Sequence, residues 1–207
     1  MIADLKPYPE YKESGLPWLG QVPGHWDAAP LAGLARLKSV VNQTERLLLS
    51  VYLQRGVVRF VDVDEKRTNA TSDDKSKYQA VDPGDFVLNN QQAWRGSVGV
   101  SDYFGIVSPA YLVLALSDRY LARYANLLFR ERSMVSQYLI CSKGVGTIQR
   151  NLYWPYLKRV GVVVPPPPEQ AAIVRFLDWA NARLERAIRA KRKVIALLGE
   201  QKQAIIH

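Results

Sequence analysis

Two histidines and one cysteine are all that 207 residues offer for imidazole or thiol chemistry. A lone Cys141 permits no disulfide framework and no thiolate metal site, and without a partner residue it reads as a buried, inert thiol. His207 ends the sequence and His25 lies in a Pro/Trp segment, where a structural role fits better than acid–base catalysis. No glycine-rich phosphate loop, dinucleotide fingerprint or serine elbow occurs. The Asn-Pro-Pro-Tyr-type run expected of a base-modifying amino-methyltransferase is missing too. No apolar run reaches membrane-span length, and MIADLKPYPEYKESG lacks the apolar stretch of a signal peptide. The expectation is an intracellular, cytoplasmic protein that meets no membrane and catalyses nothing. One enzyme alternative survives: Asp73-Asp74-Lys75 offers the carboxylate-x-lysine half of a metal-dependent nuclease site. It sits in a charged loop, where such triplets arise by chance.

What is present is positive charge, unevenly spread. The formal net charge is +9. Residues 1–117 hold 12 Lys/Arg against 13 Asp/Glu, residues 118–168 hold 8 against 2, and residues 169–207 hold 8 against 4. The whole excess lies in the C-terminal half, as expected of a protein with a polyanion-facing side. Basic helices that merely solvate well would look similar from charge alone.

Along the chain, residues 7–30 are rich in proline, glycine, Tyr and Trp, and read as a turn-rich lead-in rather than regular structure. Short stretches with β-branched and aromatic residues follow: LLLSVYL, GVVRFVDV, FVLNN, SVGVS and YLVLAL, each of strand length. Residues 64–77 form a polar connection. The spacing of Tyr120, Tyr124, Leu127, Leu128, Met134, Val135 and Tyr138 predicts a helix over 118–140, with Asp118 placed to cap it. Residues 142–154 read as a glycine loop with a basic flank, and RVGVVVP as a last strand before PPPP.

A heptad then runs unbroken by proline. Ile173, Leu177, Ala180, Leu184, Ala187, Lys191, Val194, Leu198, Gln201 and Ile205 are spaced alternately four and three apart. A helix that long spans on the order of 55 Å. Its seam either folds back on the globe or meets a second helix, and so much wet apolar surface argues for the second helix. The expected architecture is α+β: a mixed α/β globe over 1–165, then one long, coiled-coil-like helix over 166–207.

Two stretches carry binding chemistry. In VLNNQQAWRGSVGVS, four side-chain amides (Asn89, Asn90, Gln91, Gln92) precede Trp94, Arg95 and Ser97. Asn and Gln pair bidentately with adenine in the major groove and Arg with guanine, Trp94 stacks or wedges the loop, and glycines let backbone approach closely. A polar hairpin with Trp94 packed on its own core is the equal alternative. In CSKGVGTIQRN, Lys143 and Arg150 bracket two glycines, with Ser142, Thr147 and Gln149 as hydroxyl and amide donors, a set suited to phosphate clamping with some base contact. The alternative is an ordinary helix-to-strand connection with incidental charge.

Four stretches in order resemble the specificity subunits of type I restriction–modification systems: YPEYKESGLPWLGQVPGHW (8–26), GDFVLNNQQAWRGSVGVSDYFGIVSPAY (84–111), SKGVGTIQRNLYWPYLK (142–158) and VVVPPPPEQAAIVRFLDWANARLERAI (162–188), with EQKQAIIH resembling the end of the long helix. The resemblance implies a non-catalytic, sequence-specific DNA-binding subunit whose target recognition domain occupies 1–165. It implies double-stranded DNA, methyltransferase (M) and restriction (R) subunits as partners. S-adenosylmethionine, ATP and Mg would belong to those partners, and no cofactor to this chain. A complete family member has two recognition domains joined by antiparallel helices; this chain has one of each. It is therefore either a half-length subunit that pairs with a second copy or second half, or an excised N-terminal half, which the end at His207 favours. Pairing would use Ile173, Leu177, Leu184, Lys191, Val194, Leu198 and Ile205. The rival is an interaction scaffold whose helix docks other proteins and whose charge serves solubility.

Overall fold

The computed structural model describes residues 7–63, 74–145 and 149–206. The chain divides into two compact units, Met1–Pro167 and Pro168–His207. In chain order the elements are β1 (Tyr11–Leu16), β2 (Leu19–Pro23), β3 (Asp27–Pro30), β4 (Ala35–Lys38), β5 (Leu47–Tyr52), β6 (Gly56–Arg59), β7 (Gln79–Val81), β8 (Phe86–Asn89), β9 (Val98–Val100), β10 (Gly105–Val107), β11 (Tyr111–Leu116), α1 (Ala122–Phe129), α2 (Arg132–Ile140), β12 (Ser142–Val145), β13 (Gln149–Leu152), α3 (Trp154–Leu157), β14 (Gly161–Val164) and α4 (Pro167–Ile206). The fold is α+β, as expected, and the long helix is present.

Two four-stranded sheets build the globe, in the orders β6-β5-β10-β7 and β4-β11-β8-β9. Alternation along the strands sends one set of side chains inward. Leu49, Val51, Val57, Val81, Val87, Val107, Tyr111 and Val113 meet as a buried cluster drawn from both sheets. All pairings are antiparallel except β5 with β10, which run parallel. Gly105 opens β10 opposite Leu47. A Cβ there would lie 2.6 Å from the Leu47 carbonyl oxygen and closer still to the Leu49 side chain, so only glycine lets the two strands approach.

The strands expected at 47–53, 56–63, 86–90, 97–101, 111–116 and 159–165 are present as β5, β6, β8, β9, β11 and β14. The lead-in differs from the sequence reading. It contains a β1–β2 hairpin, and β3 pairs antiparallel with β14, Asp27 opposite Val164. Pro23 and Pro30 sit at strand ends, where a missing N–H costs little, and the partner of β3 is too distant in sequence for local patterning to reveal.

The helix expected over 118–140 is two helices. α1 ends at Phe129 and α2 restarts at Arg132, because the Glu131 carboxylate accepts from Ser133 N (2.7 Å) and from the Ser133 hydroxyl, making a new N-terminus. Asp118 does not cap; Leu121 precedes α1 with no side-chain hydrogen bond. Of the segment expected to be a loop over 142–154, Ser142–Val145 and Gln149–Leu152 are strands, and 146–148 lie outside the described residues. β12 and β13 pair antiparallel, with Lys143 opposite Asn151 and Gly144 opposite Arg150. Residues 64–73, and Asp73 with them, lie outside the described residues.

Considered by itself, α4 runs for 40 residues, about 60 Å at the standard rise. From Asn181 to Ile205 every residue is exposed, including Leu184 at 59%, Leu198 at 58% and Ile205 at 84%. Ile188 and Ile195 are exposed as well. They lie beside the predicted seam and widen it to the three-in-seven stripe of a core-facing helix.

Gly105→Ala is expected to destabilise the globe by about 1–3 kcal/mol, the usual cost of forcing a methyl into a filled site. Urea unfolding checks this; an unchanged midpoint would show that β5 and β10 can separate freely.

Candidate nucleic-acid interface

The turn that launches β8 is held electrostatically. Lys38 Nζ donates to Asp82 Oδ2 (2.6 Å) and Asp85 Oδ2 (2.5 Å), and Arg46 Nη1 donates to Asp82 Oδ1 (2.6 Å). Asp85 is buried and also accepts from Asp82 N (2.8 Å). The Lys38 hydrogen bond, against the opposing effect of burial and with help from Arg46, holds the Asp82 carboxyl below its ordinary range. Burial works against the Lys38 ammonium, but Asp82 and Asp85 outweigh it and raise its pKa.

β8 runs from this clamp into the amide-rich segment, which folds as a compact turn. Asn89 Oδ1 accepts from Gln91 N (3.1 Å), Ala93–Arg95 form one turn of 3-10 helix, and Ala93 is fully buried beneath it. Gly96 closes the turn at φ 98°, the left-handed region that glycine tolerates best. The amides are thus not displayed as a row. Asn89 caps its own turn, and Asn90 Oδ1 is buried with no hydrogen bond among the described residues. Gln91 is exposed and Gln92 half-buried, with Arg95 exposed beside them.

Ser97 is corrected from a DNA contact to a core residue. It is 3% exposed, and its hydroxyl donates to the Val51 carbonyl (2.8 Å), tying β9 to β5. A buried hydroxyl needs a partner, and this one has found it in the next sheet.

The second candidate segment comes to the same place. Leu152 N donates to the Asn90 carbonyl (3.0 Å), joining β13 to the amide turn. The Arg95 guanidinium lies 4.6 Å from the Trp94 ring centroid, and that of Arg150 lies 5.9 Å from the same ring. Cations over an indole face are attracted by its quadrupole. Trp94 therefore gathers one arginine from each segment, and Nε1 of its ring donates to the Gln91 carbonyl (2.9 Å). Lys143 is exposed further along the hairpin; its Nζ donates to Tyr156 Oη (2.6 Å) and lies 4.6 Å from that ring and 5.8 Å from Tyr153. The Tyr156 hydroxyl raises the Lys143 pKa. Thr147 lies outside the described residues, and Gln149 is placed only as the first residue of β13.

Tyr153 and Tyr156 were not singled out from sequence. Both are exposed, in NLYWPYLK directly after the hairpin, and aromatic residues interleaved with cations were the available signal. Burial pushes the Cys141 thiol up, away from reactivity. Asp74, of the nuclease triplet, has its carboxylate engaged by Ser76 N (2.9 Å). Among the described residues no group of three His, Cys, Asp or Glu is arranged to hold a metal ion, and no helix is long and apolar enough to cross a membrane.

No family model matches the chain, and no curated protein matches it. Solved structures do. The HsdS subunit from Thermoanaerobacter tengcongensis aligns at TM-score 0.61 and 13% identity, over 83% of this chain and 46% of that one. A chain from the type I R-M system, solved to explain complex assembly and conformational transition, aligns at TM-score 0.55 and 14% identity, over 83% and 45%. The likeness is one of fold, and this chain spans less than half the length of either.

Because Asp82 has a depressed pKa, its contribution is fully present above the ordinary aspartate value of ~3.9 and is lost as pH falls through the lower folded value. Asp82→Asn should flatten the stability profile below about pH 4, measured by urea unfolding at stepped pH. An equally steep acid limb in the variant would remove the clamp from the account.

Proposed function

We propose that this chain is a specificity subunit, or half of one, of a type I restriction–modification system, and that it reads one half of a bipartite duplex-DNA target. The observation that carries the reading is the convergence at Trp94: Arg95 from the amide turn and Arg150 from the basic hairpin share one ring, on a fold shared with HsdS. Gln91, Gln92 and Arg95 have the donors and acceptors to read base edges, with Asn89 and Asn90 shaping the turn that presents them. Lys143, Arg150, Thr147 and Gln149 supply phosphate or mixed contacts. The chain performs no chemistry. Methylation and cleavage belong to the M and R subunits, and S-adenosylmethionine, ATP and Mg are bound there.

In this reading α4 pairs antiparallel with the helix of a second copy or second half through Leu184, Lys191, Val194, Leu198 and Ile205, with Ile173 and Leu177 continuing the seam and Ile188 and Ile195 beside it. Two helices of about 60 Å hold two readers on separate major-groove segments, one DNA turn being ~34 Å. The same exposed stripe also favours the second reading, a scaffold that docks other proteins, in which case DNA affinity would be weak and indifferent to salt.

The deciding experiment is selection from randomised duplex DNA with this chain and a type I modification subunit. Enrichment of a symmetric, gapped sequence supports paired readers, one short half-site supports a single reader, and no enrichment at any salt concentration favours the scaffold. On the selected site, Arg95→Ala should cost about 1–3 kcal/mol and relax preference at one position. Lys143→Ala should weaken all sequences alike and reduce the salt slope. Leu184→Lys with Leu198→Lys should convert a helix-paired species to monomer in sedimentation while leaving half-site binding intact; an unchanged species distribution would put the pairing surface elsewhere.

A further inference from the structure

Beside the amide turn lies a cleft of about 500 Å³, lined by Arg95, Arg130 and Arg132 with Leu53, Gly96 and Val135 among its walls. Three arginines line it, and among the described lining residues none is acidic. The nearest carboxylate in sequence, Glu131, is taken up at the start of α2 by Ser133 N and the Ser133 hydroxyl. Gly96 helps keep the cleft open: a Cβ on it would touch Val135 Cγ2 at 3.5 Å.

Arg130 is held in place. Its Nη2 donates to the Gln54 carbonyl (2.7 Å), and its guanidinium lies over Gly56, where a Cβ would meet Nη1 at 3.5 Å. Its Nε is buried and has no hydrogen-bond partner among the described residues. Burial lowers its pKa, although an arginine so placed remains a cation. A partly desolvated cation whose hydrogen-bond partner among the described residues is a neutral carbonyl is costly on its own. An anion in the cleft would offset that cost. Arginine's planar fork suits phosphate.

We propose that this cleft seats a phosphate of the DNA backbone, gripped by Arg130 and Arg132 and continuous with the reading turn through Arg95. The inference rests on the DNA-reading function proposed above and adds to it a register device: phosphate contacts set where the protein sits, and the neighbouring turn then meets defined base edges. The backbone is favoured over a free anion because Arg95 belongs to both the cleft and the Trp94 cluster, so a ligand in one lies next to the other.

The test is fluorescence anisotropy with the full chain on its selected duplex and on a random duplex, across a KCl series. Arg132→Gln is expected to reduce the slope of log K against log[KCl] by roughly 0.9 on both duplexes, as loss of one phosphate contact does, leaving the preference between them unchanged. Arg130→Gln should do the same. Since Arg130 also holds Gln54, Arg132→Gln carries the test if the other variant fails to fold. Lys12→Gln, on exposed β1, serves as the control for net charge and should leave the slope alone. A wild-type slope in Arg132→Gln, with specificity still relaxed in Arg95→Ala, overturns the cleft and keeps the reading function. No duplex binding by wild type at any salt overturns both. If millimolar inorganic phosphate raises the melting temperature of wild type but not of Arg132→Gln, with slopes unchanged, the cleft takes a free anion and the backbone assignment is wrong.

Discussion

Phe86 stacks on Phe129 with ring centroids 4.5 Å apart, and Tyr138 packs against Phe86 at 6.3 Å while its hydroxyl donates to the Phe129 carbonyl (2.7 Å). All three side chains are fully buried. Everything proposed about binding depends on this contact. Phe86 opens β8, which runs straight into the amide turn, and Tyr138 lies near the end of α2, which runs straight into the β12–β13 hairpin. Packing the first on the second brings together two segments that local sequence keeps apart. The Leu152–Asn90 hydrogen bond then joins them directly. Burial raises the Tyr138 hydroxyl well above its ordinary pKa, so it stays a donor throughout the working range.

The same corner also places the cations. Asn126 in α1 accepts from Val100 N (3.0 Å) through its side chain, docking α1 on β9. Arg130 and Arg132 flank the break between α1 and α2 that Glu131 enforces, and so a capping event doubles as a device for setting two guanidinium groups beside Arg95. Acidic groups in the same region are consumed structurally: Asp82 and Asp85 by Lys38 and Arg46, Glu131 by Ser133.

Much of this was legible beforehand, and the failures have particular causes. β5, β6, β8, β9, β11 and β14 announce themselves by apolar runs between turn signals. β3, β4, β7 and β10 do not: DAAP, ARLK and QAV carry no apolar run, GIV is cut short between Gly105 and Ser108, and each pairs with a strand distant in sequence. The heptad of α4 is readable because a single helix needs nothing but its own period. The helix over 118–140 misled because its apolar spacing continues through the break, whereas the interruption comes from a side-chain cap at Glu131. Ser97 misled for a related reason: a hydroxyl beside an amide-rich turn looks the same in sequence whether it points to solvent or to Val51.

Composition and spacing by themselves determined the class of the protein: a chain poor in His and Cys, with excess positive charge in its C-terminal half, an α+β globe and one long helix with a seam. Those are local or additive properties, set by side-chain chemistry at fixed period. Only the tertiary structure decided that Arg95 and Arg150 share Trp94, that Asn89 spends its amide oxygen on its own turn, that Ser97 belongs to the core, and that three arginines surround one cleft. Each of those facts depends on which distant segments meet, and that is settled by the packing of Phe86 on Phe129 and Tyr138 rather than by any stretch read alone.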